Sequence, residues 1–142
     1  MIYRNKVGLV EFTLKKEIDY ISEKEAIKKE KDYARLKTQT FNRINIPHFT
    51  YERNSSSITY ISDFIKGNQI CDHNCSKYYD IILEDLIYSD PEYGFCSFAN
   101  QNFIVEQNTG KIYYIDLDDY RKITVEDRLR RFKRDFVKSD MC

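Results

Sequence analysis

The beginning of the chain shows a strand-like pattern of hydrophobic and polar residues followed by a helical one. Residues 7–14, Val-Gly-Leu-Val-Glu-Phe-Thr-Leu, combine β-branched and apolar types and predict a strand, which reaches Ile18 in its longest form. Ser22, with Glu25 three residues on, forms a capping-box pattern. Apolar residues then recur at helical spacing, which predicts a long helix over residues 23–41.

The middle of the chain shows the same two patterns with clear breaks between them. A run of β-branched and aromatic residues predicts a strand over 58–65, and Lys66-Gly67-Asn68 ends it. Apolar residues at helical spacing predict a second helix over 78–88, which stops before Asp90-Pro91.

The last third of the chain predicts a β-hairpin and a terminal helix. Apolar runs at 103–105 and 112–115 flank a polar turn that contains Gly110. Thr124 begins an amphipathic helix over 124–138. Because strands and helices do not alternate regularly, the order predicts an α+β fold rather than repeated βαβ units.

Composition limits the class of protein. With 142 residues, 42% hydrophobic and 32% charged, the chain is expected to form a single domain over 1–142. Its 23 basic and 23 acidic residues give zero net charge, which argues against a dedicated nucleic-acid binder. No apolar run approaches the ~20 residues that span a bilayer, and the N-terminus lacks the apolar core of a signal peptide. A cytoplasmic protein without membrane contact is therefore expected.

The residues that flank the predicted hairpin carry specific chemistry. Asn102-Phe103-Ile104-Val105 precedes the turn, and Tyr114-Ile115-Asp116-Leu117-Asp118 follows it. This arrangement resembles the catalytic centre of the protein-kinase-like superfamily, which includes small-molecule and lipopolysaccharide kinases. In that family a loop Asn opens the hairpin, an "I-D-F-G" or "I-D-x-D" sequence closes it, and both residues bind magnesium beneath the nucleotide phosphates.

The resemblance implies that Asn102 and Asp116 bind Mg²⁺ together with ATP, and that Asp118 adds a second or outer carboxylate. The residue types suit this role, because Mg²⁺ prefers oxygen ligands and usually takes one or two protein groups plus phosphates and water. A carboxylate and an amide at the two ends of one hairpin supply such a set.

Three upstream features agree with the resemblance. The segment Ile61–Gly67 resembles the strand and hinge that meet the adenine base, so Phe64 is implied in nucleotide binding. In the family, a carboxylate on the regulatory helix pairs with a strand lysine that reaches the phosphates. Glu30 is the candidate carboxylate, and Lys15 or Lys16 the candidate lysine, with Lys15 slightly preferred. The implied fold is a reduced kinase-like one.

The implied division of this fold is an N-terminal lobe over 1–66 and a reduced C-terminal lobe over 67–142.

The sequence also departs from the family's pattern in three ways. Ser97 occupies the position of the family's catalytic Asp, five residues before the loop Asn. Serine cannot act as the general base, and general-base catalysis contributes a factor of about 10²–10⁴ to the rate. Only Gly8 precedes Gly67, so no glycine-rich loop covers the phosphates. The chain is also much shorter than the family's kinase domains.

These features predict an ATP- and Mg²⁺-binding protein with weak phosphotransferase activity. The alternative is a catalytically inactive, pseudokinase-type scaffold that regulates a protein partner, docking through the basic stretch Arg128–Arg134. A third hypothesis is a nucleic-acid or metal-binding protein. It rests on that basic stretch, or on Cys71, His73 and Cys75 as metal ligands, against the simpler expectation of reduced thiols in a loop.

Overall fold

The computed structural model describes residues 4–10, 13–71 and 75–136. Over these residues the protein has an α+β fold with three α-helices and three small sheets. The chain divides into two compact units, the first made of residues 1–38 and 47–64 and the second of 39–46 and 65–142. The main division falls near residue 65, and the short internal segment 39–46 also belongs to the second unit.

The first unit contains a four-stranded antiparallel sheet in the order β1-β2-β5-β4. Its strands are β1 (Arg4–Val10), β2 (Thr13–Asp19), β4 (Phe49–Arg53) and β5 (Ser57–Asp63). The strand predicted over 7–14 is therefore wrong in extent, because this part of the chain contributes residues to two paired strands, β1 and β2. The strand predicted over 58–65 is confirmed apart from its last two residues.

Helix α1 (Glu23–Lys37) packs on one face of this sheet. The Ser22 hydroxyl accepts a hydrogen bond from the Glu25 N–H at 3.3 Å, which confirms the predicted N-terminus of the helix. Tyr33 is fully buried, and its ring lies 5.5 Å from that of Tyr51 and 5.7 Å from that of Tyr60. The predicted helix end at 41 is wrong, since the helix stops at Lys37.

The second unit contains the remaining two sheets and two helices. Its strands are β3 (Ile44–Asn45), β6 (Gly67–Gln69), β7 (Tyr93–Phe95), β8 (Phe103–Glu106), β9 (Ile112–Tyr114) and β10 (Tyr120–Lys122). One sheet has the order β3-β9-β8-β6, with β3 parallel to β9, and β10 pairs with β7 in the other. The predicted hairpin is confirmed as β8 and β9.

Helix α2 (Cys75–Ile82) continues into a π-helical turn, Leu83–Ile87, so the helix predicted over 78–88 begins earlier than expected. Asp85 lies in this turn and is almost fully buried. Its carboxylate accepts hydrogen bonds from the N–H groups of Arg43 and Ile44 at 2.6 and 2.7 Å. These bonds hold the start of β3 against the helical part of the second unit.

Helix α3 (Val125–Asp135) completes the core of the second unit. The Thr124 hydroxyl accepts a hydrogen bond from the Asp127 N–H at 3.1 Å, as the predicted start requires. Phe132 and Phe136 are fully buried, and Phe136 packs edge-on against Phe103 of the hairpin at 5.7 Å. The last two residues of the predicted helix lie outside the described residues. Within the described ranges, no helix combines the length and the apolar character needed to cross a membrane.

Candidate magnesium- and phosphate-binding site

The β8–β9 hairpin places Asn102 and Asp116 at its open end. Gly110 adopts a positive φ of 71° in the turn at the opposite end, a conformation that glycine tolerates without strain. Beyond the last strand pair, Phe103 with Tyr114, the Ile115 N–H donates to the Asn102 carbonyl at 3.0 Å. Asp116 is therefore the next residue after the one that is bonded to Asn102.

The side-chain amide of Asn102 has a defined orientation. Its Nδ2 group donates to the hydroxyl of Ser97 at 2.9 Å and lies 3.4 Å from the Ser97 carbonyl oxygen. Both donor hydrogens of the amide point towards the loop, so the acceptor Oδ1 is directed away from it. Since no described residue donates a hydrogen bond to this oxygen, it is available to a cation.

Tyr114 and Asp119 are two further residues of this site, and sequence reasoning missed both. The fully buried Tyr114 hydroxyl donates to the Ser97 carbonyl at 2.9 Å and lies 3.3 Å from Oδ2 of Asp119. The same carboxylate oxygen accepts from the Cys96 N–H at 3.0 Å. Burial raises the pKa of the Tyr114 phenol well above its usual value, and the carboxylates of Asp119 and Asp116 raise it further. The phenol therefore stays a hydrogen-bond donor.

The three aspartates after the hairpin have different surroundings. Asp116 precedes a 3₁₀ turn, Leu117–Asp119, whose Leu117 is buried. All three aspartates are half-buried, and the carboxylate of Asp119 accepts a hydrogen bond from the loop at the Cys96 N–H. In the part of the chain that the structure describes, no three His, Cys, Asp or Glu side chains are grouped to hold a metal ion. A site built on Asn102 and Asp116 needs no such group, because Mg²⁺ completes its shell with phosphate and water.

In the first unit, strand register separates the two candidate lysines. Lys16 pairs with Tyr60, and Tyr60 pairs with Tyr51, so these three side chains share one face of the sheet. The ring of Tyr33 on α1 stacks on that of Tyr51 and packs at a tilt against that of Tyr60, which identifies this as the face that the helix covers. Lys15 pairs with the exposed Ile61 on the opposite face. The geometry therefore favours Lys16, and the slight preference for Lys15 is not supported.

Glu30 of α1 has a different partner from the one the resemblance implies. Its Oε1 accepts a hydrogen bond from Nε of Arg53 at 3.1 Å, in an ion pair, and Glu23 lies 3.6 Å from the same guanidinium. Arg53 is on β4, at the edge of the sheet, two strands away from β2. The expected pairing of Glu30 with Lys15 or Lys16 is thus replaced by one with Arg53.

Phe64 follows directly after β5 and is the last residue of the first unit. Half of its surface is exposed, at 50%, while Ser62 two residues earlier is buried. An exposed aromatic side chain at this point is compatible with the predicted contact to a base.

The basic stretch is not simply a solvent-exposed face. Arg128 is fully buried, and its guanidinium donates to the carbonyl oxygens of Ile87, Asp90 and Ile123. Burial lowers the pKa of this guanidinium, and Asp90 opposes that shift. Arg128 therefore belongs to the core and is not accessible for the docking predicted through Arg128–Arg134.

Two more cations of the stretch are paired within the helix. Arg130 contacts Asp127, and Arg134 contacts Asp135 at 2.7 Å. The docking of a protein partner on this helix stays a prediction, and it depends chiefly on Arg131 and Lys133.

The structure changes the chemistry available at the hypothetical metal site of Cys71, His73 and Cys75. Cys71 is disulfide-bonded, so its sulfur is not free to bind a metal as a thiolate, and His73 lies outside the described residues. Cys75 and Cys96 are buried and carry thiols, so the reduced thiol expected in the 71–75 segment is found at Cys75 but not at Cys71. Disulfides are rare in reducing compartments, and the cytoplasmic expectation gains no support from this bond.

Comparison with known proteins adds no assignment. A scan against protein-family models finds no match, and a search of curated proteins finds no similar sequence. The inference about function therefore depends on the residues and geometry described above.

Proposed function

We propose that this chain is a reduced, kinase-like protein that binds ATP with Mg²⁺, with Asn102 and Asp116 as the metal ligands. The observation that carries the proposal is the bond from the Asn102 amide to Ser97, five residues earlier, which leaves Oδ1 available beside the Asp116 segment. A carboxylate and an amide oxygen at one end of a hairpin suit Mg²⁺ better than they suit a softer metal.

The chemistry available at this site is positioning and charge neutralisation. Bound Mg²⁺ would neutralise charge on the phosphate oxygens, and phosphoryl transfer depends mainly on that effect and on orientation. Asn102 would supply an amide oxygen and Asp116 a carboxylate, while half-buried Asp118 would act in the outer shell. The Ser97 hydroxyl accepts the Asn102 amide hydrogen and keeps its own proton as a hydrogen-bond donor.

Within the first unit, Lys16 is the candidate for phosphate binding because it lies on the helix-covered face of the sheet. Phe64 is the candidate for contact with the base. Glu30 is not part of this proposal as a lysine partner, since its carboxylate is bonded to Arg53.

A catalytically inactive scaffold is the second candidate. Two observations favour it: serine occupies the position of the general base, and Glu30 pairs with Arg53 rather than with a strand lysine. A scaffold of this kind would bind the nucleotide weakly or not at all and would act by docking to a protein.

Thermal unfolding with ATP, with MgCl₂ and with both together tests the proposal. A ligand at 100 times its dissociation constant stabilises the folded state by about 2.7 kcal/mol. We expect stabilisation only when ATP and Mg²⁺ are both present, and we expect Asp116→Ala to remove it. Asp80→Ala, which deletes an exposed carboxylate on α2, is the matched control and should behave as the native chain does.

Absence of stabilisation under all three conditions would contradict the proposal and favour the scaffold. If ATP and Mg²⁺ do stabilise the chain, phosphate release from ATP by the native chain and by Ser97→Asp separates a weak enzyme from an inactive one. A rise in rate in Ser97→Asp would show that the general base is the missing group.

A further inference from the structure

Two hydrogen bonds hold the backbone of the loop on either side of a single peptide group. The Asp119 carboxylate accepts from the Cys96 N–H at 3.0 Å, and the Tyr114 hydroxyl donates to the Ser97 carbonyl at 2.9 Å. Both bonds come from residues of the β9 strand and the turn that follows it. The loop is thus held from the same segment that carries Asp116.

The Tyr114 hydroxyl has one proton and two possible acceptors. The Ser97 carbonyl, at 2.9 Å, is nearer than Oδ2 of Asp119, at 3.3 Å. Because the ring is fully buried, water cannot replace either partner without opening the core. Asp119 is in turn kept in place by its bond to Cys96. The hydroxyl therefore holds Ser97 directly and the carboxylate holds the preceding residue, Cys96, so the two restrain the same short stretch of the loop.

Ser97 in turn restrains the side chain of Asn102. Its hydroxyl accepts a hydrogen bond from Asn102 Nδ2 at 2.9 Å, and its carbonyl oxygen, which Tyr114 holds, lies 3.4 Å from the same nitrogen. A shift of the Ser97 carbonyl would let the amide rotate. Rotation by half a turn would exchange Oδ1 for Nδ2, and an amide NH₂ group cannot bind a cation.

We propose that Tyr114 and Asp119 are positioning residues that, through Ser97, direct Oδ1 of Asn102 towards the metal ion. This inference rests on the proposed function. Neither residue is assigned contact with the nucleotide, so their effect is expected only on the part of ATP binding that depends on Mg²⁺.

Calorimetric titration of the full chain with ATP, with and without MgCl₂, tests the proposal. Tyr114→Phe removes only the hydroxyl, and Tyr113→Phe removes the hydroxyl of its half-buried neighbour on the same strand as a matched control. We expect Tyr114→Phe to weaken ATP binding roughly tenfold in the presence of Mg²⁺, equivalent to about 1.4 kcal/mol. Binding of ATP without Mg²⁺ should be unchanged, and Tyr113→Phe should match the native chain.

If Tyr114 had only a structural role, Tyr114→Phe would weaken ATP binding equally with and without Mg²⁺, or would lower the melting temperature without changing either affinity. Either result, or unchanged Mg²⁺-dependent binding in Tyr114→Phe, would overturn the inference while leaving the proposed function in place. If the native chain itself shows no Mg²⁺-dependent binding, both fail together. Should Tyr114→Phe not fold, as judged by circular dichroism, Asp119→Ala replaces it, because alanine removes the acceptor of the Cys96 N–H; the same selective loss is expected and the same results count against the inference.

Discussion

The carboxylate of Glu30 on α1 accepts a hydrogen bond from the guanidinium of Arg53 on β4 at 3.1 Å. This pair ties the middle of the helix to the edge strand of the first unit's sheet. In the kinase-like resemblance the same carboxylate would serve a strand lysine instead. The pairing therefore marks a specific difference between the first unit and the pattern that its sequence suggested.

Double-mutant cycles test which partner Glu30 has in solution. Both side chains of the Glu30–Arg53 pair are partly exposed, at 38% and 28%, so we expect a coupling of about 0.2–1 kcal/mol. The coupling of Glu30 with Lys16 should be zero within about 0.5 kcal/mol. Urea unfolding of the single and double alanine variants gives both values, and the Arg53 coupling should decrease in high salt. A larger coupling with Lys16 than with Arg53 would show that the ion pair described here is not the dominant one.

Arg128 and Gly94 provide a test of the second unit's core. A Cβ atom added at Gly94 would lie 2.5 Å from Cδ of Arg128, whose guanidinium is fixed by three backbone carbonyl groups. We expect Gly94→Ala to destabilise the protein by about 1–3 kcal/mol. Arg128→Lys cannot reach all three carbonyls and should cost about 2–4 kcal/mol.

The control for the second variant is Arg130→Lys, because Arg130 is 72% exposed and the change should stay within about 0.5 kcal/mol. Chemical denaturation measures all three variants. An Arg128→Lys variant as stable as its Arg130→Lys control would mean that the buried guanidinium bonds do not form.

The buried phenol of Tyr114 is expected to lower the free energy of unfolding at alkaline pH. Its pKa is raised well above 10 in the folded protein by burial and by the nearby carboxylates, whereas in the unfolded chain it is about 10. Between these two values the unfolded chain binds fewer protons, so stability falls as pH rises. The contribution is fully present below pH ~10 and decreases by about 1.4 kcal/mol per pH unit above it.

The measurement is the difference in unfolding free energy between the native chain and Tyr114→Phe from pH 8 to about 11. Because the other titrating groups are common to both, their effects cancel. We expect a constant difference up to pH ~10 and then a relative loss in the native chain. A difference that stays constant to pH ~11 would show that the phenol is not buried beside the carboxylates.

The elements that could be predicted from the sequence are those determined by local rules. The caps at Ser22 and Thr124 and the turn at Gly110 follow from side-chain hydrogen bonding and from a positive φ, and all three are present. Strands of two or three residues, such as β3 and β10, are too short to show alternation, so their existence depends on partners distant in sequence. The sequence predicts one strand in place of β1 and β2 because Glu11-Phe12 contains no residue type that signals a turn.

The candidate site could be predicted only in part, for a similar reason. The spacing of Ser97, Asn102 and Asp116 indicated where the loop and the hairpin would lie. The alternation of polar and apolar residues along the strand does not distinguish Lys15 from Lys16. That distinction depends on the register of β2 with β5 and on which face of the sheet α1 covers. Tyr114 resembled any core aromatic, and its hydrogen bond to Ser97 is visible only in the structure.

The central claim is that Asn102 and Asp116 bind the same divalent ion, and paramagnetic NMR tests it most directly. In the native chain saturated with Mg²⁺ and ATP, replacement of a small fraction of Mg²⁺ by Mn²⁺ broadens the signals of nuclei near the ion. We expect the Asn102 side-chain amide and the Asp116 backbone amide to broaden together, while Gly110 at the other end of the hairpin stays sharp. Broadening of only one of the two residues, or of neither, would contradict the account.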